Sequence, residues 1–402
     1  MKLSTQECVN DPVAADPIIE AAEAFAADSA ESKVDLGIGT YRDESGATPI
    51  LGCIREAADI LRSEQDTKSY LPFSGNRDFN TRVIDLVFGL NHPAVRASRV
   101  ASIQTCGGTA ALRVAADLAK EMGMAAHGHV PSPTWSNHFS IMHRAGIAVS
   151  EYRFFDSSRQ SFDFDQTIDG VLKLNSDSLF LVHGCCHNPT GAVIAREQWD
   201  TLADSLRRRG CLPVVDLAYQ GLGQGLDIDA YGARLLANEC PTVLVAASCS
   251  KNFGLYRERV GALIIVADTP TRCRRAQKIA EMISRDMYAM PPDYGAALVN
   301  VALAGDVLRA KWMDELSSMR RRIVGIRRAF AETLNDRQAK RDFSFLSAQE
   351  GMFSTLDVDQ NVMRRLRQEF HVYLPLSGRI NVTGINRSNI EKVATAFAAV
   401  VS

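Results

Sequence analysis

Three short apolar runs, Leu179–His183, Leu212–Asp216 and Val243–Ala247, each give way to polar residues at their carboxyl end. Runs of this length without polar alternation read as strands covered on both faces. The stretch Arg196–Arg209 lies between the first two and repeats its apolar positions at helical spacing. Strands alternating with helices predict an α/β fold, a largely parallel sheet under helices. In such sheets ligands collect beyond the carboxyl ends of the strands. The segments Gly184–Gly191, Asp216–Tyr219 and Ser248–Gly254 are therefore the first candidates for chemistry.

A chain of 402 residues, 46% of them hydrophobic, has enough core for two domains. No linker rich in Pro, Gly or Ser divides it. A long helix over Ala310–Leu334, without Pro and with Gly325 as its one glycine, is expected to leave the central unit. The amphipathic pattern Asn389–Val401 closes a smaller one. The expected division is a large domain, 47–310, and a small domain made of 1–46 and 311–402.

Basic and acidic residues number 45 and 47 and are interspersed, for a net charge of −2. Such a surface offers no field to hold nucleic acid or an anionic membrane. The longest apolar stretches, such as Ala262–Ala267, fall short of the roughly 20 residues of a membrane span. Met1–Ile18 carries acidic residues and lacks a basic segment followed by an apolar one, so no leader is read there and a cytoplasmic location is expected. The nine cysteines show no C-x-x-C pair, and the histidines no H-E-x-x-H pattern, so no metal site is expected. Cys185 and Cys186 are neighbours whose side chains should point apart, which suits packing better than a disulfide.

Taken singly, the candidate residues have ordinary readings. Lys251, in Ser248-Cys249-Ser250-Lys251-Asn252-Phe253-Gly254, reads as an exposed loop lysine, or as an amine able to form a Schiff base with an aldehyde cofactor. Asp216 reads as a helix cap or as a carboxylate presented at a strand end. Asn188-Pro189-Thr190-Gly191 reads as a turn. Gly107-Gly108-Thr109, opening an alanine-rich helix, can present amides to a phosphate.

Together with Leu36-Gly37-Ile38-Gly39-Thr40-Tyr41, Tyr70, Pro133-Thr134-Trp135-Ser136-Asn137-His138, Glu258-Arg259-Val260-Gly261 and Ser377-Gly378-Arg379-Ile380-Asn381-Val382, these segments resemble the aspartate and aromatic aminotransferases of the fold type I pyridoxal-phosphate enzymes. The resemblance covers nearly the whole chain. It implies pyridoxal 5′-phosphate held by Lys251 as an internal aldimine, and a ping-pong exchange of an amino group between an L-amino acid and a 2-oxo acid. Lys251 would also move the substrate proton. Asp216, steadied by His138 and His183, would face the pyridine nitrogen; Tyr219 and Asn188 would bond the phenolic oxygen, and Trp135 would stack on the ring. Gly107, Gly108, Thr109, Ser248, Ser250 and Arg259 would surround the phosphate, with Tyr70 arriving from the partner of a homodimer. Arg379 would grip the α-carboxylate, Gly39 would close over it, and Arg285 of the partner subunit would meet a distal carboxylate.

Three departures bear on substrate choice. Ala289-Met290 replaces the family's usual Ser-Asn before Pro291-Pro292, Pro72-Phe73 follows Leu71, and Arg257 precedes Glu258 in place of asparagine. The first two imply a relaxed specificity that spans aspartate, glutamate and aromatic partners. An aromatic-selective enzyme, β-elimination or decarboxylation on the same cofactor, and a homologue without turnover are the alternatives.

Overall fold

The computed structural model describes residues 17–337, 342–356 and 358–400. The expectations for Met1–Asp16 and for Val401 lie outside these residues. Among the described residues no helix is long and apolar enough to cross a membrane.

The molecule is built on a seven-stranded sheet. Across it the order is Val100–Cys106, Val260–Val266, Val243–Ser248, Leu212–Leu217, Ser178–His183, His127–Ser132 and Ala148–Arg153. Every pairing is parallel except the two made by Val260–Val266, which runs against both neighbours. The three runs predicted from sequence are strands at or within a residue or so of the expected limits. All their residues are buried, which is why their sequences lack alternation.

The antiparallel strand has a chemical consequence. It enters the sheet at the edge where its neighbours end, pairing Val260 with Cys106 and Gly261 with Ser248. Arg259, just before it, therefore reaches the same edge as Gly107 and Ser248. Gly261 is required there, because a Cβ would stand 2.6 Å from the Gly107 carbonyl carbon and 2.7 Å from Ala247 O.

The helix Arg196–Arg209 has the predicted limits and ends on the left-handed Gly210. The long helix starts earlier and ends later than expected, at Asp306–Asp336. Its buried Trp312 stacks on Phe253, with ring centroids 4.5 Å apart and planes 6° apart, and donates Nε1–H to Asn252 O at 2.8 Å. The loop after the third strand is thereby held against the helix. Further along, Arg327 is buried and donates to the carbonyls of Leu346, Glu350, Gly351 and Phe353 and to the Ser354 hydroxyl.

Chain ends and middle are joined by short pairings. Val34–Asp35 pairs in parallel with Val372–Tyr373, and Phe353–Thr355 pairs antiparallel with Arg379–Asn381. The 310/311 boundary expected from sequence falls inside the helix Asp306–Asp336, which packs on Gly52–Glu64 with one part and on Ile390–Val400 with another.

Candidate active site

At the carboxyl edge of the sheet a cavity of about 210 Å³ is lined by Gly39, Gly108, Thr109, Trp135, Asn188, Asp216, Tyr219, Ser248, Ser250, Lys251, Arg259 and Arg379. Twelve of the seventeen residues given roles from the sequence thus share one space. Gly107 stands directly behind it. Tyr70, 92% exposed, and the exposed Arg285 lie on the outside of this chain.

Lys251 follows the strand Val243–Ser248 by three residues, and its Nζ lies 4.9 Å from the centre of the Tyr219 ring. Burial pushes its pKa down to about 8; Arg259 and Arg379 push the same way, and Asp216 opposes them. The unprotonated amine, the form a nucleophile or general base requires, is therefore far more populated near neutral pH than on an ordinary lysine.

Asp216 is buried on the strand Leu212–Leu217. Burial alone would raise its pKa, but the hydrogen bond from His138 and the charges of His183, His138 and Lys251 outweigh it and hold the carboxyl below its usual range. His138 Nε2 is 3.1 Å from Asp216 Oδ2, and its Nδ1 is 2.7 Å from the Thr134 hydroxyl. His183 serves Asp216 less directly than expected, without a hydrogen bond to it. It pairs with Asp216 in strand register, yet its Nε2 is 3.9 Å from Oδ2 and neither ring nitrogen has a hydrogen-bond partner. Register fixes the backbones; the ring turns to stand edge-on to His187.

Tyr219 is buried and its phenol is pushed above the usual range, by burial first and Asp216 next, so it remains a neutral donor. Asn188 Nδ2 reaches its hydroxyl at 3.5 Å. Trp135 stands edge-on to His138, centroids 5.4 Å apart, leaving a ring face for the cavity.

The helix Gly107–Glu121 begins at this edge with its first amides unpaired. Gly107 has φ +77°, and a Cβ there would stand 2.6 Å from Arg259 Nη2, so glycine alone lets the guanidinium close over the helix start. Arg259 Nη1 donates to Ser250 Oγ at 3.4 Å and to Tyr256 O at 3.2 Å. Hydroxyls of Thr109, Ser248 and Ser250, helix-start amides and a guanidinium converge on one end of the cavity, a donor set able to hold a dianionic phosphate.

Opposite Lys251, the buried Arg379 donates to Gly37 O at 2.6 Å and Asn188 Oδ1 at 3.4 Å. Asn381 donates to Ile38 O at 2.6 Å and Thr40 O at 2.8 Å. The motifs at 36–41 and 377–382, distant in sequence, are thus one wall. Phe353 was not anticipated. Its ring lies 4.4 Å beneath the Arg379 guanidinium and edge-on to Tyr219 at 5.9 Å. Ile18 also lines the cavity; neither residue sits in a recognisable motif.

The adjacent cysteines form no disulfide, as expected, but the expected reason for it does not hold. All eight described cysteines are free, but the Cys185 and Cys186 thiols lie within reach of each other instead of pointing apart.

A phosphate cradle, a buried carboxylate and a poised amine in one cavity define an enzyme that handles amino groups on an anionic aldehyde cofactor. Residues 31–397 match the family model for aminotransferases of class I and II, and the chain belongs to that family. It is an aminotransferase with pyridoxal phosphate as cofactor. It is 42% identical over 387 residues to the aspartate aminotransferase of Escherichia coli K12, covering 96% of this chain and 98% of that one. It is 39% identical over 390 residues to an aromatic-amino-acid aminotransferase of Paracoccus denitrificans, covering 97% and 98%. Among solved structures, the aromatic-amino-acid aminotransferase of Burkholderia pseudomallei, covalently bound to pyridoxal phosphate, superimposes with a TM-score of 0.95 at 36% identity over 100% of both chains.

Proposed function

We propose that the chain transfers the amino group of aspartate, glutamate and aromatic L-amino acids to a 2-oxo acid such as 2-oxoglutarate or oxaloacetate, with Lys251 as the base that moves the proton at the substrate Cα. The juxtaposition of Lys251 and Arg379 across one cavity carries this reading. Bound pyridoxal phosphate supplies an aldehyde that condenses with amino groups and a ring that accepts the electron pair left when the Cα–H bond breaks. Gly108, Thr109, Ser248, Ser250 and Arg259 hold its phosphate, with Gly107 clearing the space. Asp216 would keep a positive charge on the ring nitrogen, Tyr219 and Asn188 would donate to the phenolic oxygen, and Trp135 would cover the ring face. Arg379 pairs with the α-carboxylate, so the Cα–H presents itself to Lys251 Nζ. Gly39 closes that end.

The functional unit of this proposal is a cytoplasmic homodimer in which Tyr70 and Arg285 serve the partner's cavity. Their exposure supports that role. Two departures seen in the sequence prove to be neighbours: the Arg285 guanidinium lies 5.2 Å from the Phe73 ring, and Leu71 N donates to Met290 Sδ at 3.2 Å. A thioether and an aromatic ring beside the distal carboxylate's arginine support acceptance of apolar side chains as well as acidic ones. Mixing the cofactor-loaded protein with aspartate, glutamate, cysteate, phenylalanine, tyrosine or tryptophan in single turnovers tests the reading. Both acidic and aromatic donors are expected to yield their 2-oxo acids and the aminated cofactor. Release of pyruvate or of a decarboxylated amine, or no conversion by any donor, contradicts it.

A further inference from the structure

The segment Gly184–Gly191 has two sides. Asn188 faces the cavity of Lys251, whereas Cys185, Cys186 and His187 line a second and larger cavity of about 430 Å³. Gln224 and Ile228, both exposed, stand in its wall and connect it to solvent. Transamination as described above leaves the thiols and carboxyls of this second cavity without a task.

Cys186 has φ +48°, a left-handed conformation uncommon for a residue with a side chain. With that backbone, the two neighbouring sulfurs and an Asp229 carboxylate oxygen all lie within 4.8 Å of one another. Glu350 joins them. A carbon placed on Gly223 would stand 2.7 Å from Asp229 Oδ1, 3.0 Å from Cys186 Sγ and 3.0 Å from Glu350 Oε2. Three donors therefore converge on one small region that glycine leaves open. His187 lines the same cavity, is buried, and has an Nε2 without a hydrogen-bond partner.

Both carboxylates lie among hydrogen-bond donors, and Glu350 Oε1 accepts from Gln224 Nε2. Asp229 is partly compensated by amides of Gly221, Gly223 and Gln224. Arg327 directs its donors to backbone carbonyls and Ser354 rather than to either carboxylate, while its charge stands near Cys186 and Glu350.

We propose that Cys185, Cys186 and Asp229, with Glu350 in reach, bind a thiophilic divalent cation, for which zinc is the chemical match. Sulfur and carboxylate oxygen are ordinary zinc ligands, and thiolates on a tetrahedral zinc stand roughly 3.8 Å apart. The observed ligand atoms, all within 4.8 Å of one another, lie near that spacing. Binding forms two sulfur–zinc bonds, releases the two thiol protons to solvent and displaces water from the ion, so affinity falls as pH falls.

The test uses cofactor-loaded protein stripped of metal, titrated with zinc ions against a chromophoric chelator, with retained zinc counted by elemental mass spectrometry after desalting. One zinc per chain is expected. Cys185→Ser and Cys186→Ser should each weaken binding about tenfold or more, with melting curves confirming that both variants fold, and Cys273→Ser should leave it unchanged. Absence of retained zinc overturns the proposal. So does undiminished binding by both serine variants, or loss of zinc only on His183→Asn, which would place the ion at His138, His183 and Asp216.

Discussion

Lys251 shows how a residue with an ordinary local sequence acquires a particular chemistry from its surroundings. In the folded, cofactor-free protein its pKa is held at about 8 against an ordinary 10.5. Between those values the unfolded chain binds more protons than the folded one, so stability rises as pH climbs through this window; below it the folded state carries the whole penalty. Lys251→Met removes the penalty. The cofactor-free variant should therefore melt above the cofactor-free wild type at pH 7, with the gap closing toward pH 10.5 in thermal unfolding scans. At the other end of the cavity, Arg379→Ala should cost about 2–5 kcal/mol in kcat/KM, since the substrate carboxylate loses a buried partner. Steady-state kinetics with the same donor measure it. Most of this site was legible because each functional group ends a strand and carries its motif with it. Phe353 was not, because its place under Arg379 arises only when Phe353–Thr355 pairs with Arg379–Asn381. The missing hydrogen bond between His183 and Asp216 was hidden for a related reason: strand register is encoded by apolar pattern, whereas a rotamer is settled by packing.

Elements hold the site through a few long-range contacts. The sheet's strands were readable because burial on both faces forces a continuous apolar sequence, and Arg196–Arg209 because its apolar positions and Gly210 mark face and end. The direction of Val260–Val266 was not readable from its apolar run alone, yet it decides that Arg259 meets Gly107. The helix Asp306–Asp336 exceeded its expected limits because periodicity fades at exposed ends while backbone hydrogen bonding continues. Its Trp312 ties the loop of Lys251 to the helix. Trp312→Ala should lower stability by about 3–5 kcal/mol. Trp312→Phe, which keeps the stacked ring but abandons the Asn252 carbonyl, should cost about 1–3 kcal/mol. Denaturant titration of the two variants separates packing from hydrogen bonding.

At the scale of the whole molecule, the chain gathers the cofactor end of the site by itself but leaves Tyr70 and Arg285 facing outward, beside the exposed Phe73 and Met287. The homodimer proposal makes a quantitative prediction. Chains carrying Lys251→Ala and chains carrying Arg285→Ala, each inactive toward aspartate alone, should on random reassociation form hybrids with one intact site, restoring roughly a quarter of wild-type activity. Activity that stays at the sum of the parents would place Arg285 in its own chain's site or outside any site. Beneath this lies the claim on which the account depends, that Lys251 is the amine that carries pyridoxal phosphate. Borohydride reduction of the cofactor-loaded protein, followed by peptide mass mapping, tests it most directly. The account predicts the phosphopyridoxyl mass on Lys251 alone; the same mass on another lysine, with Lys251 unmodified, would contradict it.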